Sequence, residues 1–288
     1  MRVLVFGHSG QVATELRALN GNDVKIIALD RAAADLTDPA ACAAAIDTHA
    51  PDAVINAAAY TAVDEAETNA ATVHLINADA PAAMARSCAA RDIPFVSIST
   101  DYVFSGEGTT AWQPSDPTDP QGVYGRTKRD GEMLIEKIGG CYAILRTSWV
   151  VSAHGNNFVK TMLRLGAERD TLTIVADQNG GPTGAAEIAQ ACMTIAKTLP
   201  TEPQKAGIYH YAGTPDSSWA DFARAIFQQA GITCVVTDIP SSDYPTPAKR
   251  PLNSRLDCTA TTAAFGIPRP DWRDSLTRIL TQLDTPKD

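Results

Sequence analysis

No cluster of lysine and arginine long enough to follow a phosphate backbone occurs in this sequence, and its net charge is −9, so nucleic acid is not an expected partner. An anionic small molecule would need a local basic pocket. The six cysteines (Cys42, Cys88, Cys141, Cys192, Cys234 and Cys258) include no C-x-x-C pair, which argues against a disulfide framework and against a zinc site. They are expected to be mostly buried apolar residues. Five dispersed histidines show no ligand spacing, and no catalytic metal is expected. No apolar stretch approaches the length of a bilayer span, and the N-terminus enters a strand pattern without a basic region and cleavage site. No membrane association and a cytoplasmic location are therefore expected. Internal repeats and low-complexity tracts are also missing.

What is present is an ordinary globular composition, 44% hydrophobic and 20% charged, in a chain of 288 residues that is long enough to bury a sizeable core. Short apolar runs alternate with helical patterns through the first half, the order that builds a parallel sheet flanked by helices. Strands are predicted at Arg2–Phe6, Val24–Leu29, Ala53–Asn56, Phe95–Ser99 and Ala143–Arg146, with a helix from about Gly10 to Leu19. The Ala-rich stretch Ala70–Ala90 reads as helix broken only by Pro81, which sits in a first turn or kinks a longer helix. Beyond Trp149 the alternation loosens. Helices are predicted at Asn157–Ala167, Ala185–Thr198, Ser218–Gln229 and Trp272–Leu283, strands at Leu172–Val175 and Ile208–Tyr211, and a loop at the Pro-rich segment Pro240–Pro251. The fold class that follows is α/β: a Rossmann-type doubly wound parallel sheet with a smaller C-terminal substrate-binding lobe. The division is an NAD(P)-binding domain over 1–149 and a lobe built mainly from 150–288, with some segments returning to the sheet.

The first strand ends in Gly7-His8-Ser9-Gly10-Gln11-Val12-Ala13, a G-x-x-G-x-x-A pattern at a strand-to-helix turn. Such a turn lets backbone N–H groups near Gly7, Gly10, Gln11 and Val12 approach a pyrophosphate, while the helix N-terminus adds roughly half a positive charge. Asp30 closes the second strand about twenty residues on, where a carboxylate accepts hydrogen bonds from ribose hydroxyls and favours NADH. Arg31 follows it, and a guanidinium there suits the 2′-phosphate of NADPH, so both NADH and NADPH stay open. Asp35, Leu36 and the segment containing Ala59, Tyr60 and Thr61 fall where the rest of the cofactor would lie.

Tyr124 and Lys128 are four residues apart in a helical stretch, which places both on one face about 6 Å apart along the axis. A cation about 4 Å from a phenol is worth roughly 4 kcal/mol at an effective dielectric near 20, about three pKa units, enough to bring the phenol near neutrality. The fourth strand runs into Ser99-Thr100-Asp101-Tyr102-Val103-Phe104, setting a hydroxyl at the carboxyl edge of the sheet, where open α/β folds bind ligands. Thr100 and Tyr124 can then share one carbonyl oxygen.

Gly7–Ala13, Asn56–Asp64, Ser99–Phe104, Tyr124–Lys128 and Arg146–Val150 resemble the successive motifs of dTDP-4-dehydrorhamnose reductases, within the extended short-chain dehydrogenase/reductase superfamily. So do Gly155–Phe158, Gly181–Gly184 and Arg250–Leu256, and the resemblance covers nearly the whole chain. It implies a catalytic trio of Thr100, Tyr124 and Lys128, with Lys128 also holding the nicotinamide ribose. It implies a sugar pocket lined by Asp101, Tyr102 and Trp149, with Asn157 also on the substrate side. The reaction implied is hydride transfer to C4 of a dTDP-linked 4-keto-deoxysugar, with Tyr124 giving the proton, to yield dTDP-L-rhamnose. Arg250 and Arg255 flank the Pro-rich loop and are assigned to the pyrophosphate of the sugar nucleotide, or else to solvent. Some members of the family dimerise around magnesium held by glutamates. Glu15 matches one of these, whereas Ala186 stands where the second would be, with Glu187 one place off. A monomer and a homodimer are both compatible with the sequence. An epimerase or dehydratase of the same superfamily is a second reading, although dehydratases tend to carry an acidic residue where Tyr102 stands. A non-catalytic regulatory subunit is a third, and the intact trio speaks against it.

Overall fold

The computed structural model describes residues 1–284, and residues 285–288, the end of the expected lobe, lie outside the described residues. Strand β1 (Arg2–Phe6) turns Val3 and Val5 to one face and Leu4 and Phe6 to the other, all four fully buried. Burial on both faces requires helices on both sides. Strands β2 (Lys25–Leu29), β3 (Ala53–Asn56), β4 (Phe95–Thr100) and β5 (Tyr142–Thr147) join it, with a sixth strand, Gly207–His210, at the far edge. All pair in parallel, in the order Gly207–His210, β5, β4, β3, β1, β2. The chain leaves β1 toward β2 and comes back on the other side with β3, so the carboxyl ends of β1 and β3 bound the crevice where such sheets take ligands.

One face of the sheet is covered by helices Gln11–Ala18 and Ala185–Thr198, which pack Val12, Leu16, Ile188 and Ile195 against Val3, Val5 and Ile55. The other is covered by Pro39–His49, Ala80–Ala89 and Val123–Ile138, through Ile46, Met84 and Ile135 against Leu4, Phe6 and Ile144. Each such fully buried side chain contributes roughly 1.5–3 kcal/mol of transfer free energy. A third apolar cluster lies off the sheet, where helices Phe158–Glu168, Trp219–Ala230 and Trp272–Asp284 gather Val159, Met162, Phe222, Ile226 and Leu276 beside a parallel pair, Thr171–Val175 with Val235–Ile239. Local chemistry fixes the ends of these helices. Asn157 accepts from the Lys160 amide at 3.3 Å, Ser218 from the Asp221 amide at 3.0 Å, and Gly231 takes the left-handed conformation that closes Trp219–Ala230.

The stretch Ala70–Ala90 is not one α-helix. It runs as Ala70–His74, a widened π turn over Leu75–Asp79, and Ala80–Ala89. The cause is Pro81, which has no N–H to donate and whose ring would meet the Asn77 carbonyl in a regular α-helix. The Pro-rich segment is a loop apart from one short 3₁₀ turn, Ser241–Asp243, and it is tied down where the Ala248 amide donates to Asp64 at 3.1 Å. A short helix, Thr259–Phe265, has no counterpart in the sequence-based expectations. All six cysteines are free, and all but Cys141 are buried.

Candidate active site

A cleft of about 740 Å³ runs along the carboxyl ends of β1, β3, β4 and β5. Gly7, Gly10, Gln11, Val12, Asp30, Asp35, Leu36, Ala59, Tyr60 and Thr61 line one end, and Thr100, Asp101, Tyr102, Tyr124, Lys128 and Trp149 line the other. The two groups picked out separately in the sequence thus share one continuous space.

At the first end Gly7 has φ +114°, and a Cβ there would come within 3.3 Å of Ala57 and Ala13. Only glycine meets both demands. Gly10 precedes the helix Gln11–Ala18 without a side-chain cap, and a Cβ on it would meet nothing within 4 Å, which leaves the N-terminal amides facing open space. This cradle fits a dinucleotide pyrophosphate. The Gln11 side chain is otherwise engaged: its oxygen accepts from Ser152 at 2.8 Å and Asn157 at 3.0 Å, joining the helix start to residues 152–157. Asp30 uses one oxygen to accept from the Ala33 amide at 2.9 Å. Arg31, also on the cleft, donates through Nε to Asp35 at 3.1 Å. Amide and hydroxyl bonds from Thr37, helped by Arg31, hold the Asp35 carboxyl down to about 2.

At the other end the Thr100 hydroxyl shares the cleft wall with the Tyr124 phenol, donates to Asp101 at 3.1 Å and accepts from the Tyr102 amide at 3.2 Å. Tyr102 meets Tyr124 edge to face, ring centres 5.5 Å apart. The close approach of the helix Val123–Ile138 depends on Gly125, where a Cβ would sit 2.1 Å from the Tyr102 carbonyl oxygen. That helix has no capping side chain of its own; Glu67 reaches over and accepts from the Val123 amide at 2.8 Å. Lys128 is buried, and its Nζ donates to the Ile98 carbonyl at 2.8 Å. Trp149 has φ +49°, unusual for a bulky residue, and stacks on Trp219 with ring centres 3.6 Å apart.

The electrostatics correct one expectation. The Tyr124 phenol is not drawn toward neutrality but pushed up to about 12, because burial outweighs the opposing influence of the Thr100 hydroxyl. Burial likewise pushes Lys128 down to about 8, Asp101 up to about 6, and Tyr102 above its ordinary value. In a dry site desolvation acts on every charged form, and the ammonium turned toward the Ile98 carbonyl does not offset it for the phenol.

Three residues assigned to substrate do not line the cleft. Asn157 caps its helix and donates to Gln11 and to the Ser152 carbonyl, while its neighbours Gly155 and Asn156 face the cleft. Arg250 pairs with Asp64 at 2.6 Å and lies beside Tyr102, with its Nη1 buried and unpartnered. Arg255 pairs with Asp216 at 3.4 Å and with Asn253 at 3.2 Å. The sequence reading did not single out Asn77, whose amide accepts from the Tyr60 N–H at 2.9 Å and donates to the Tyr60 carbonyl and the Thr127 hydroxyl. It locks the Tyr60 loop to the helix carrying Tyr124. Its only signal was an asparagine four residues before Pro81. Glu15 and Glu187 line a smaller cleft elsewhere, but Glu15 pairs with His154 at 3.1 Å and Glu187 with Arg278.

A glycine cradle at the switch point of a parallel sheet, sharing one cleft with Thr100, Tyr124 and Lys128, defines a short-chain dehydrogenase/reductase. Within that class the chain belongs to the family described as the RmlD substrate binding domain, whose model matches residues 1–285. A dTDP-4-dehydrorhamnose reductase of Sinorhizobium fredii is 42% identical, over 97% of each chain. Among solved structures, a Clostridium acetobutylicum dTDP-4-dehydrorhamnose reductase superposes with a TM-score of 0.93 at 35% identity, covering 99% of this chain and 100% of the other. A Bacillus anthracis dTDP-4-dehydrorhamnose reductase in complex with NADP gives 0.89 at 32%, covering 98% and 99%. Among the described residues no helix is long and apolar enough to cross a membrane.

Proposed function

We propose that this chain reduces the 4-keto group of dTDP-4-dehydro-L-rhamnose, yielding dTDP-L-rhamnose, with NADH or NADPH as co-substrate. The single observation that carries this reading is that Thr100, Tyr124 and Lys128 line one wall of the cleft that the glycine cradle opens into, with Tyr124 and Lys128 one helical turn apart. Reduced nicotinamide, when bound, supplies the hydride that reaches C4 of the sugar. Backbone amides from Gly10 to Val12 hold the pyrophosphate, Asp30 the adenosine ribose, and Asp35, Leu36, Ala59, Tyr60 and Thr61 flank the remainder.

Tyr124 releases its proton to the oxygen on C4 as that oxygen gains negative charge, while Thr100 donates a hydrogen bond to the same atom. A phenol held near 12 suits this role, since it keeps its proton at neutral pH and surrenders it only to a developing alkoxide, a far stronger base. The Lys128 ammonium stabilises the resulting phenolate and bonds the nicotinamide ribose. Asp101, Tyr102 and Trp149 shape the sugar pocket, and the unpartnered Nη1 of Arg250 beside Tyr102 supports an anion-facing role for that arginine.

The test is loss of reduced-nicotinamide absorbance on adding dTDP-4-dehydro-L-rhamnose. The parent chain consumes NADH or NADPH, and Tyr124→Phe loses about 100-fold or more in kcat with little change in KM. A parent without turnover points to the non-catalytic reading, and an unslowed Tyr124→Phe removes the phenol from the chemistry.

A further inference from the structure

Tyr124, Lys128 and Glu132 follow one another at intervals of four along the helix Val123–Ile138, and so line one face of it. Two of them have parts in the reduction proposed above; Glu132, fully enclosed, has none. Its carboxylate meets the Arg146 guanidinium of β5 side on, with Nε 3.0 Å from Oε1 and Nη2 2.7 Å from Oε2, and both side chains are under 5% exposed. Arg146 is in turn fixed on every side. Its Nη1 donates to the Pro114 carbonyl at 3.2 Å and faces His210 Nε2 at 3.4 Å, and its guanidinium lies 5.0 Å over the Phe104 ring. Burial pushes His210 down to about 3, so the imidazole is neutral, with Nδ1 donating to the Trp112 carbonyl at 3.0 Å and Nε2 accepting.

A buried ion pair is a poor source of stability, because an apolar pair of similar volume often does as well or better. Its position one turn from a buried ammonium calls for another explanation. On its own helix Lys128 has Tyr124 and Glu132 one turn away to either side, on the cleft wall it has Asp101 and Tyr102, and behind Glu132 stand Arg146 of β5 and His210 of the sixth strand. On the outer side His74, Asp79 and Asp130 satisfy one another near the surface. Glu132 is the one carboxylate whose attraction for Lys128 counters the desolvation of the ammonium.

We propose that the Glu132–Arg146 pair is a positioning device for Lys128, in which Glu132 supplies the buried counter-charge that keeps the ammonium protonated. Arg146 anchors that carboxylate so that it stays one turn away and does not fold onto Nζ, leaving the ammonium free to turn from the Ile98 carbonyl to phenolate and ribose. Glu132 and Arg146 are thus positioning residues and make no contact with the reacting atoms.

The inference rests on the reductase reading, and its test includes a measurement that needs no sugar substrate. Activity requires a charged Lys128 and is lost as pH rises through its pKa, so removing the counter-charge moves the alkaline limb to lower pH. In Glu132→Gln the alkaline limb of kcat is expected to fall by about one pH unit, the effect of one charge several ångströms away in a protein interior. The alkaline limb of NADPH affinity, read by nicotinamide fluorescence, shifts with it, and Glu132→Asp restores most of both. Since Glu132→Gln leaves Arg146 unpaired, the double variant Glu132→Gln/Arg146→Met, which strands no charge, is carried alongside and shifts the limb in the same direction but by less, because the guanidinium's repulsion of the ammonium goes with it. A lowered Tm with both pH profiles unmoved in a folded variant would assign the pair to stability alone and overturn the proposal. A shifted binding profile without sugar turnover would instead fault the reductase reading and leave the role of Glu132 standing.

Discussion

Asp101 stands where three demands meet: it is buried, it accepts from Thr100, and it faces the cleft. Burial raises its carboxyl from 3.8 to about 6. The folded chain therefore keeps a proton that the unfolded chain gives up as pH rises from about 4 to 6, and folding loses stability over that window, on the order of 2–3 kcal/mol in all. Asp101→Asn is expected to melt higher than the parent near pH 7.5, with the gain gone near pH 4; equal melting shifts at both pH values would deny Asp101 this burden. At this scale the sequence was legible in placing Gly7, Thr100, Tyr124 and Lys128 on one cleft, and at Gly7 because the backbone there demands glycine. It was misleading on the ionisation of Tyr124, because spacing along a helix reports which groups share a face and says nothing of how dry that face is. Asn157 and Arg250 show a related limit: partners of a side chain can come from elements more than a hundred residues away in sequence, such as Gln11 for Asn157 and Asp64 for Arg250.

Among the elements, the π turn Leu75–Asp79 does the most to shape the cleft. It presents Asn77 both to the Tyr60 backbone and to Thr127 on the helix of Tyr124, and Gly131 lets that helix close on the Asn77 carbonyl, where a Cβ would stand at 2.3 Å. Asn77→Ala leaves part-buried backbone groups of the Tyr60 loop without their partner and is expected to cost about 1–2 kcal/mol of stability, measured by chemical denaturation, together with weaker binding of the nicotinamide cofactor. Unchanged values for both would separate the turn from the cofactor loop. The strands of the sheet were readable because burial on two faces demands continuous apolar runs bounded by turn residues. The interrupted helix was readable in part: Pro81 stands in the first turn of Ala80–Ala89, one of the two places expected for it, whereas periodicity gave no sign of the widened turn just ahead of it.

For the molecule as a whole, the path of the chain matters more than its composition. The first 149 residues supply five of the six strands, yet the helix Ala185–Thr198 covers the face bearing Val3, Val5 and Ile55, and the strand Gly207–His210 closes the edge beside β5. A fragment ending at residue 149 is thus expected to expose a broad apolar face and an unpaired edge, and to give poorly dispersed amide resonances or aggregate on expression. A soluble, well-dispersed fragment would show that the sheet stands without its return segments.

That weave also bears on how a fold of this kind can diversify. Because the backbone shuttles between the sheet and the third apolar cluster more than once, no single crossover in the gene can exchange everything beyond β5 without also replacing a strand and a helix of the sheet.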